Sequence, residues 1–413
     1  MKKPNGAGFV AAAAPTGLVL LCALAQPARA ADPAPQRGFS AGPFETIEHD
    51  SNLGRTAGET GAPALADTLY TTGVGAEFHQ SYGREQVDAS AALSRVLYQN
   101  SRQLDYTQQN FDAALAAQLP LDVAANVHAA HTAQMVHFAD IGGVVADVIS
   151  RDNASATLAF PLLANWRALL GADASRSSNS ADSLRLQDDR ATEGRAGLRY
   201  TTGAANHLDL LAHRMHDRRP NYSAGSPVGP SFDESAADLS ADWTFSGVDQ
   251  LHGHAGFVRH TGDRYQYTTA LAPAQAVTVD HDFAGPAFDL SYAWQVSGAT
   301  RITLLGARVS GAVGDNNYLS AVTHNYRITP AWAYSVKTEV DLFFDWTHRE
   351  YAADPAVASL RTDRGRDVGL IVNWSPRRWL QAKLQLHQER WSSTVALYTY
   401  RDTVAVLDLK AFF

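Results

Sequence analysis

The last nine residues, Ala405-Val406-Leu407-Asp408-Leu409-Lys410-Ala411-Phe412-Phe413, change character at nearly every step. In an extended chain Ala405, Leu407, Leu409, Ala411 and Phe413 share one side, and Val406, Asp408, Lys410 and Phe412 the other. A period of two marks a strand, because successive side chains point to opposite faces. One face stays apolar to its final residue, where a soluble chain usually frays into polar ones. Residues 332–346 repeat the pattern at greater length. Trp332, Tyr334, Val336, Thr338, Val340, Leu342, Phe344 and Trp346 share a face, and Ser335, Lys337, Glu339, Asp341 and Asp345 share the other. From Tyr334 to Phe344 such a strand, rising ~3.4 Å per residue at a tilt of ~40°, covers about 25 Å, the height of an outer-membrane apolar band. Residues 86–94, 237–245, 288–294 and 380–387 alternate likewise, often with charges on the polar face. Charges facing inward suit a water-filled lumen better than a protein core.

The other end of the chain reads as a secretory signal over residues 1–30. Lys2 and Lys3 precede a short apolar run, and Ala28-Arg29-Ala30 is the cleavage pattern. The only cysteine, Cys22, lies inside that segment, so a disulfide scaffold and a thiolate metal site are excluded from the rest. The signal holds three of the 34 Lys+Arg and none of the 42 Asp+Glu, which leaves the exported part at −11. That balance argues against nucleic acid as a partner. No later segment approaches the ~18 consecutive apolar residues of a spanning helix. A barrel escapes such a search because its apolar residues come at every second position.

Residues 31–44, rich in Pro and Gly, read as a flexible periplasmic lead, and residues 45–413 as one domain. Short connections are expected near Gly83-Arg84, Leu119-Pro120, Leu163-Ala164, Gly203-Ala204, Gly247-Val248, Gly298-Ala299, Thr329-Pro330 and Pro376-Arg377. Longer polar ones fall between them, at 53–67, 137–150, 176–190, 218–233, 261–280, 349–364 and 392–399, with short exceptions near 100–103 and 312–315. This alternation of short turns and long loops predicts an all-β fold, a transmembrane antiparallel up-and-down barrel of about 18 strands, 16 being the next choice. It places the protein in the outer membrane of a Gram-negative bacterium, in contact with outer-membrane lipid. The eight tryptophans, Trp166, Trp243, Trp294, Trp332, Trp346, Trp374, Trp379 and Trp391, all fall near expected strand ends and read as an interfacial belt. Phe413 would end the closing strand and serve as the signal read by the outer-membrane barrel assembly machinery.

The strand phase selects a lumen lining of Asp238, Asp242, Lys337, Glu339, Asp341 and Lys383, with Tyr98 and Tyr106 near the outer mouth as ring-stacking candidates. Glu339 and Asp341, two residues apart on one face and so ~7 Å apart, have the separation of paired glycosidase carboxylates. Lumen acids at that spacing are common in any barrel, so no enzyme, metal or cofactor is expected. The histidines at 128/131, 207/213/216 and 252/254/260 have no cysteine and no fixed third ligand beside them, and read as lumen or rim residues.

Three stretches resemble a known family. They are "HDSNLGRT" (49–56), with a D-x-N-L-x-R pattern, "YGREQVDASAALSRVLYQNSRQLDY" (82–106), and "GLIVNWSPRRWLQAKL" (369–384). Together they resemble the EpsL-type outer-membrane proteins of exopolysaccharide biosynthesis operons, in the β-barrel porin 2 group. Gly54 departs from the family, which usually has a bulky residue there, and no Trp-rich strand follows Leu104-Asp105-Tyr106. The resemblance implies passage or handling of an exopolysaccharide at the outer membrane, with polysaccharide export proteins as partners and no catalytic residues. The alternatives are a general or solute-specific porin and a closed structural or adhesive barrel.

Overall fold

Each alternating segment pairs antiparallel with its neighbours in the chain, and the last strand returns to the first. The computed structural model describes residues 38–56, 64–138, 143–204, 206–223, 229–245, 248–263, 265–268, 276–279, 282–312, 318–353 and 361–413. The expected signal, residues 1–30, lies outside them.

The barrel strands are β1 (Gly38–Asp50), β2 (Asp67–Tyr82), β3 (Glu85–Tyr98), β4 (Tyr106–Gln118), β5 (Ala124–Met135), β6 (Val148–Leu163), β7 (Trp166–Asn179), β8 (Asp189–Thr201) and β9 (His207–Arg218). They continue with β10 (Ser231–Phe245), β11 (Asp249–Gly262), β14 (Phe283–Gln295), β15 (Thr300–Ala312), β16 (Tyr318–Ser335), β17 (Thr338–Ala353), β18 (Thr362–Arg377), β19 (Leu380–Ser393) and β20 (Tyr400–Ala411). Two four-residue strands, β12 (Tyr265–Thr268) and β13 (Ala276–Val279), form a separate hairpin in the connection after β11. The eighteen others make one closed antiparallel sheet. Closure leaves no strand edge unpaired in lipid, where an unsatisfied backbone N–H or C=O has no water to turn to.

The seam between β1 and β20 shows how the chain end is used. Asp50 to Phe44 pair with Val404 to Lys410. Beyond that, Ala41 and Phe413 exchange two backbone hydrogen bonds, of 3.2 and 3.0 Å. The Phe413 ring stacks on Trp379 at 6.4 Å. A side chain at Gly42 would sit 1.7 Å from the Ala411 carbonyl oxygen, so only glycine lets the closing strand pass there. The barrel therefore begins at Gly38, not at Glu45 as the sequence suggested. Gly38–Pro43 pair with β2 throughout and with the closing strand only through Ala41, and a Gly/Pro-rich stretch with no donor on Pro43 reads as loop although it can still lie at a partly open edge.

A second correction concerns residues 332–346, which are not one strand but the two sides of a hairpin. β16 runs through Thr329 and Pro330 to Ser335, and the chain turns at Val336-Lys337. Pro330 pairs with Ile302 of β15. On the β17 side the ladder lapses at Thr329 and Pro330, between Ile328↔Phe344 and Ala331↔Asp341, so the missing N–H costs no bond. The alternation hid the turn for a geometric reason. A two-residue turn alone pairs residues of opposite parity, and here a β-bulge at Tyr334 restores equal parity, giving Trp332↔Val340. The same device precedes the turns at Ala164-Asn165 and Arg378-Trp379, and only the turn at Gly83-Arg84 lacks it among the two-residue turns.

Candidate functional site

The barrel has one rim of turns and one of loops. Apolar side chains such as Leu170, Leu239, Leu342 and Leu409 stand exposed on its outer face. Their strand neighbours turn inward and are mostly polar. Inward charges pair across strands: Arg195 with Asp173 (3.1 Å), Arg199 with Asp209 (2.5 Å), and Arg327 with Asp345. The histidines join the same ladder. His128 meets Asp112 (2.6 Å), His254 meets Asp289 (2.7 Å), His387 meets Asp367 (3.1 Å), and His207 and His252 both bond Asp242.

Asp238, Asp242, Glu339, Asp341 and Lys383 lie on the inward face. Asp238 takes His213 as its partner at 3.4 Å. Glu339 approaches Arg301 at 4.0 Å. Asp341 is fully buried and accepts from Asn373 Nδ2 at 3.4 Å. Lys383 lies between Asn373 and Asp408 in the ladder. Lys337 belongs elsewhere: it sits in the turn after β16, and its Nζ donates to the Pro376 carbonyl at 3.1 Å. The tyrosines are also placed differently. Tyr98 is 4% exposed and packs in an apolar cluster with Leu53, Val96, Leu104 and Phe138, with Tyr106 against it. Loop residues Leu53 and Phe138 cover the inner wall there, so Tyr98 has no free ring face for a sugar.

Seven tryptophans keep company with the outer apolar residues, six at the turn rim and Trp346 on the loop side, midway along β17. Trp391 does not. It shares strand phase with His387 and Glu389 and points into the mouth, where a side chain at Gly365 would meet its ring at 2.2 Å.

Trp391 lines a cleft of about 70 Å³ on the inner wall of the loop rim, with Arg55, His137, Arg349, Arg361, Glu389, Tyr398 and Tyr400. Its floor is built from bonded pairs. The Arg361 fork grips Asp363 at 3.0 and 2.7 Å and lies 3.3 Å over the Tyr398 ring. Tyr351 donates to Asp363 at 3.1 Å and accepts from Arg349 Nη1 at 3.1 Å. The Arg349 guanidinium lies 5.6 Å from the Trp391 ring centre, and Trp391 stacks on Tyr400. Arg349 Nη2 is buried and has no hydrogen-bond partner among the described residues. Burial opposes the charge of Arg361, yet its bond to Asp363 and the groups around it leave its pKa raised. This chemistry, fixed guanidinium donors beside stacked rings, matches a carboxylate.

Arg55 seals the wall below. It hydrogen-bonds Asp50 at 2.6 Å and forms an ion pair with Asp402 at 3.0 Å, joining the first and last strands. Burial works against its charge, but Asp50 and Asp402 outweigh that and hold its pKa above the ordinary arginine value. Asn52 donates to the Arg401 carbonyl at 3.1 Å. The D-x-N-L-x-R stretch is thus the lock of the barrel seam, with Leu53 in the apolar cluster. Sequence reasoning passed over Arg349, Tyr351 and Arg361 because it ended the strand at Trp346. Continuing the odd positions beyond Asp345 would have turned Arg349 and Tyr351 inward.

Many solved structures share this architecture, two of them as follows. OpdK of Pseudomonas aeruginosa, crystallised with vanillate, is 12% identical with a TM-score of 0.50, covering 91% of this chain and 99% of that one. A BenF-like porin from Pseudomonas fluorescens Pf-5 is 9% identical with a TM-score of 0.51, covering 91% and 98%. The protein is an outer-membrane β-barrel. No protein-family model matches it, and no curated protein does either. At these identities the likeness speaks for the outer-membrane barrel as a fold, with its turns on the periplasmic side and its loops outside.

Proposed function

We propose that this outer-membrane barrel is a solute-selective porin for small organic anions, carboxylates first among them. The observation that carries the reading is the buried Nη2 of Arg349 at the external mouth, which has no hydrogen-bond partner among the described residues and lies beside Trp391, flanked by Arg55 and Arg361. An anion entering from outside would find a donor ready, and the fixed acids beneath hold the guanidinium groups in place. That OpdK was crystallised with vanillate makes an aromatic carboxylate a sensible first probe.

The test is single-channel recording in planar bilayers with vanillate added on the loop side. The expected result is concentration-dependent block, and Arg349→Met should raise the half-blocking concentration about tenfold or more, the weight of a hydrogen bond to a charged group. Equal block of both proteins, or equal block by vanillyl alcohol, would overturn the reading. Absence of any conductance would favour the closed structural barrel.

Exopolysaccharide passage, implied by the resemblance, has less support. Of the motif residues, Asp50, Asn52 and Arg55 are occupied at the seam and Tyr98 is buried. Loss of secreted polymer on deletion of the gene, restored by complementation, would reinstate it.

A further inference from the structure

The outer face carries two rows of arginines that nothing in solute passage requires. Arg366 of β18 stands directly opposite Arg390 of β19, which stands opposite Arg401 of β20. Arg176 of β7, Arg190 of β8 and Arg218 of β9 form a second such row. All six side chains are exposed. All six share strand phase with outer apolar residues: Val368, Leu386 and Leu407 in the first set, Leu170, Leu198 and Leu210 in the second. None of the six has an acidic partner among the described residues. Asp152, beside Arg176 in the ladder, bonds His131.

Like charges facing each other across strands destabilise a sheet, so two triplets that form no ion pair among the described residues call for an external anion. Their height identifies it. Arg390 is ten residues from Leu380 at the turn rim, and Arg176 is ten residues from Trp166. At ~3.4 Å per residue and a tilt of ~40° that is about 26 Å, the far side of the apolar band. The first row also continues through Trp346 and Tyr326, aromatic residues of the interfacial kind. Both rows therefore meet the outer leaflet where headgroups begin. They are nine strands apart in a ring of eighteen, on opposite sides of the barrel.

We propose that each arginine row binds the phosphate groups of a phosphorylated glycolipid of the outer leaflet, two lipids per barrel. Guanidinium forks on neighbouring strands match phosphate oxygens, and the apolar band beneath them receives the acyl chains.

Native mass spectrometry of the detergent-purified barrel with bis-phosphorylated lipid A tests this. Two bound lipids are expected for the wild type, and one each for the Arg366→Gln/Arg390→Gln/Arg401→Gln and Arg176→Gln/Arg190→Gln/Arg218→Gln variants. Affinity at the altered row should fall about a hundredfold, from about 1 kcal/mol per arginine. Dephosphorylated lipid A should bind neither row, and inorganic phosphate should leave the lipid count unchanged. Heat-shifted gel migration and unaltered vanillate block would show that the variants fold. Two lipids retained on both folded variants, equal binding of the dephosphorylated lipid, or displacement by millimolar phosphate would overturn the proposal.

Discussion

Arg55 illustrates how a single side chain can hold two ends of a chain. Its guanidinium is largely buried between Asp50 and Asp402, whose side chains are 3% and 0% exposed. Arg55→Ala would leave both carboxylates buried without their counter-charge, a loss of about 3–5 kcal/mol. The expected outcome is a lower urea midpoint for the detergent-solubilised barrel; an unaltered midpoint would mean that the acids find other partners. The sequence exposed this residue only as part of a short pattern. Its partner Asp402 is 347 positions away, and no local spacing announces such a contact. Trp391 is hard to place for a related reason: it lies close to a strand end, as interfacial tryptophans do, while its odd-numbered phase, shared with His387 and Glu389, puts it inside.

At the scale of elements, alternation made the strands legible and concealed some of their ends. The bulge at Tyr334 keeps parity across the β16–β17 turn, so the outward series Trp332, Tyr334 and then Val340, Leu342 runs on as though nothing had intervened. The turn was placed instead at Thr329-Pro330, since proline usually breaks a ladder. This geometry makes a paired prediction. Deleting Tyr334 removes the unpaired residue and leaves every β16–β17 partner in place, so the barrel should still assemble. Deleting Phe343 shifts one half of β17 by one and turns its faces over, sending either Asp345 or Asp341 towards lipid. Heat-modifiable migration on gels reads both; equal behaviour of the two deletions would refute the assignment of the bulge.

For the molecule as a whole, the strand count and the short-turn, long-loop asymmetry were readable because lipid and water impose them on every strand alike. Turns between barrel strands span two to five residues and loops five to twenty. The mouth was not readable, since its inner surface is assembled from loops and strand ends whose contacts follow no period. The bilayer also sets a depth rule. Leu342, 44% exposed and well inside the band, should tolerate arginine poorly, at about 2–4 kcal/mol, whereas Leu97 near the loop rim should accept it at about 0–1 kcal/mol. Urea titration in lipid vesicles separates the two, and similar losses at both positions would contradict the proposed depth of β17.

Apart from β1 and β20, every barrel strand bonds only to the barrel strands next before and after it, and the ring is closed along the β1–β20 ladder, down to Ala41 and Phe413 at the turn rim. Both ends can share a rim only if the number of strands is even. The circumference is consequently a quantity that changes in steps of one hairpin. Removing a hairpin would narrow the passage while the remaining neighbours kept their faces and the ends still met. The width of the passage is then stored in no individual residue; it is a count, and the natural unit of change in a lineage of such proteins is the pair of strands.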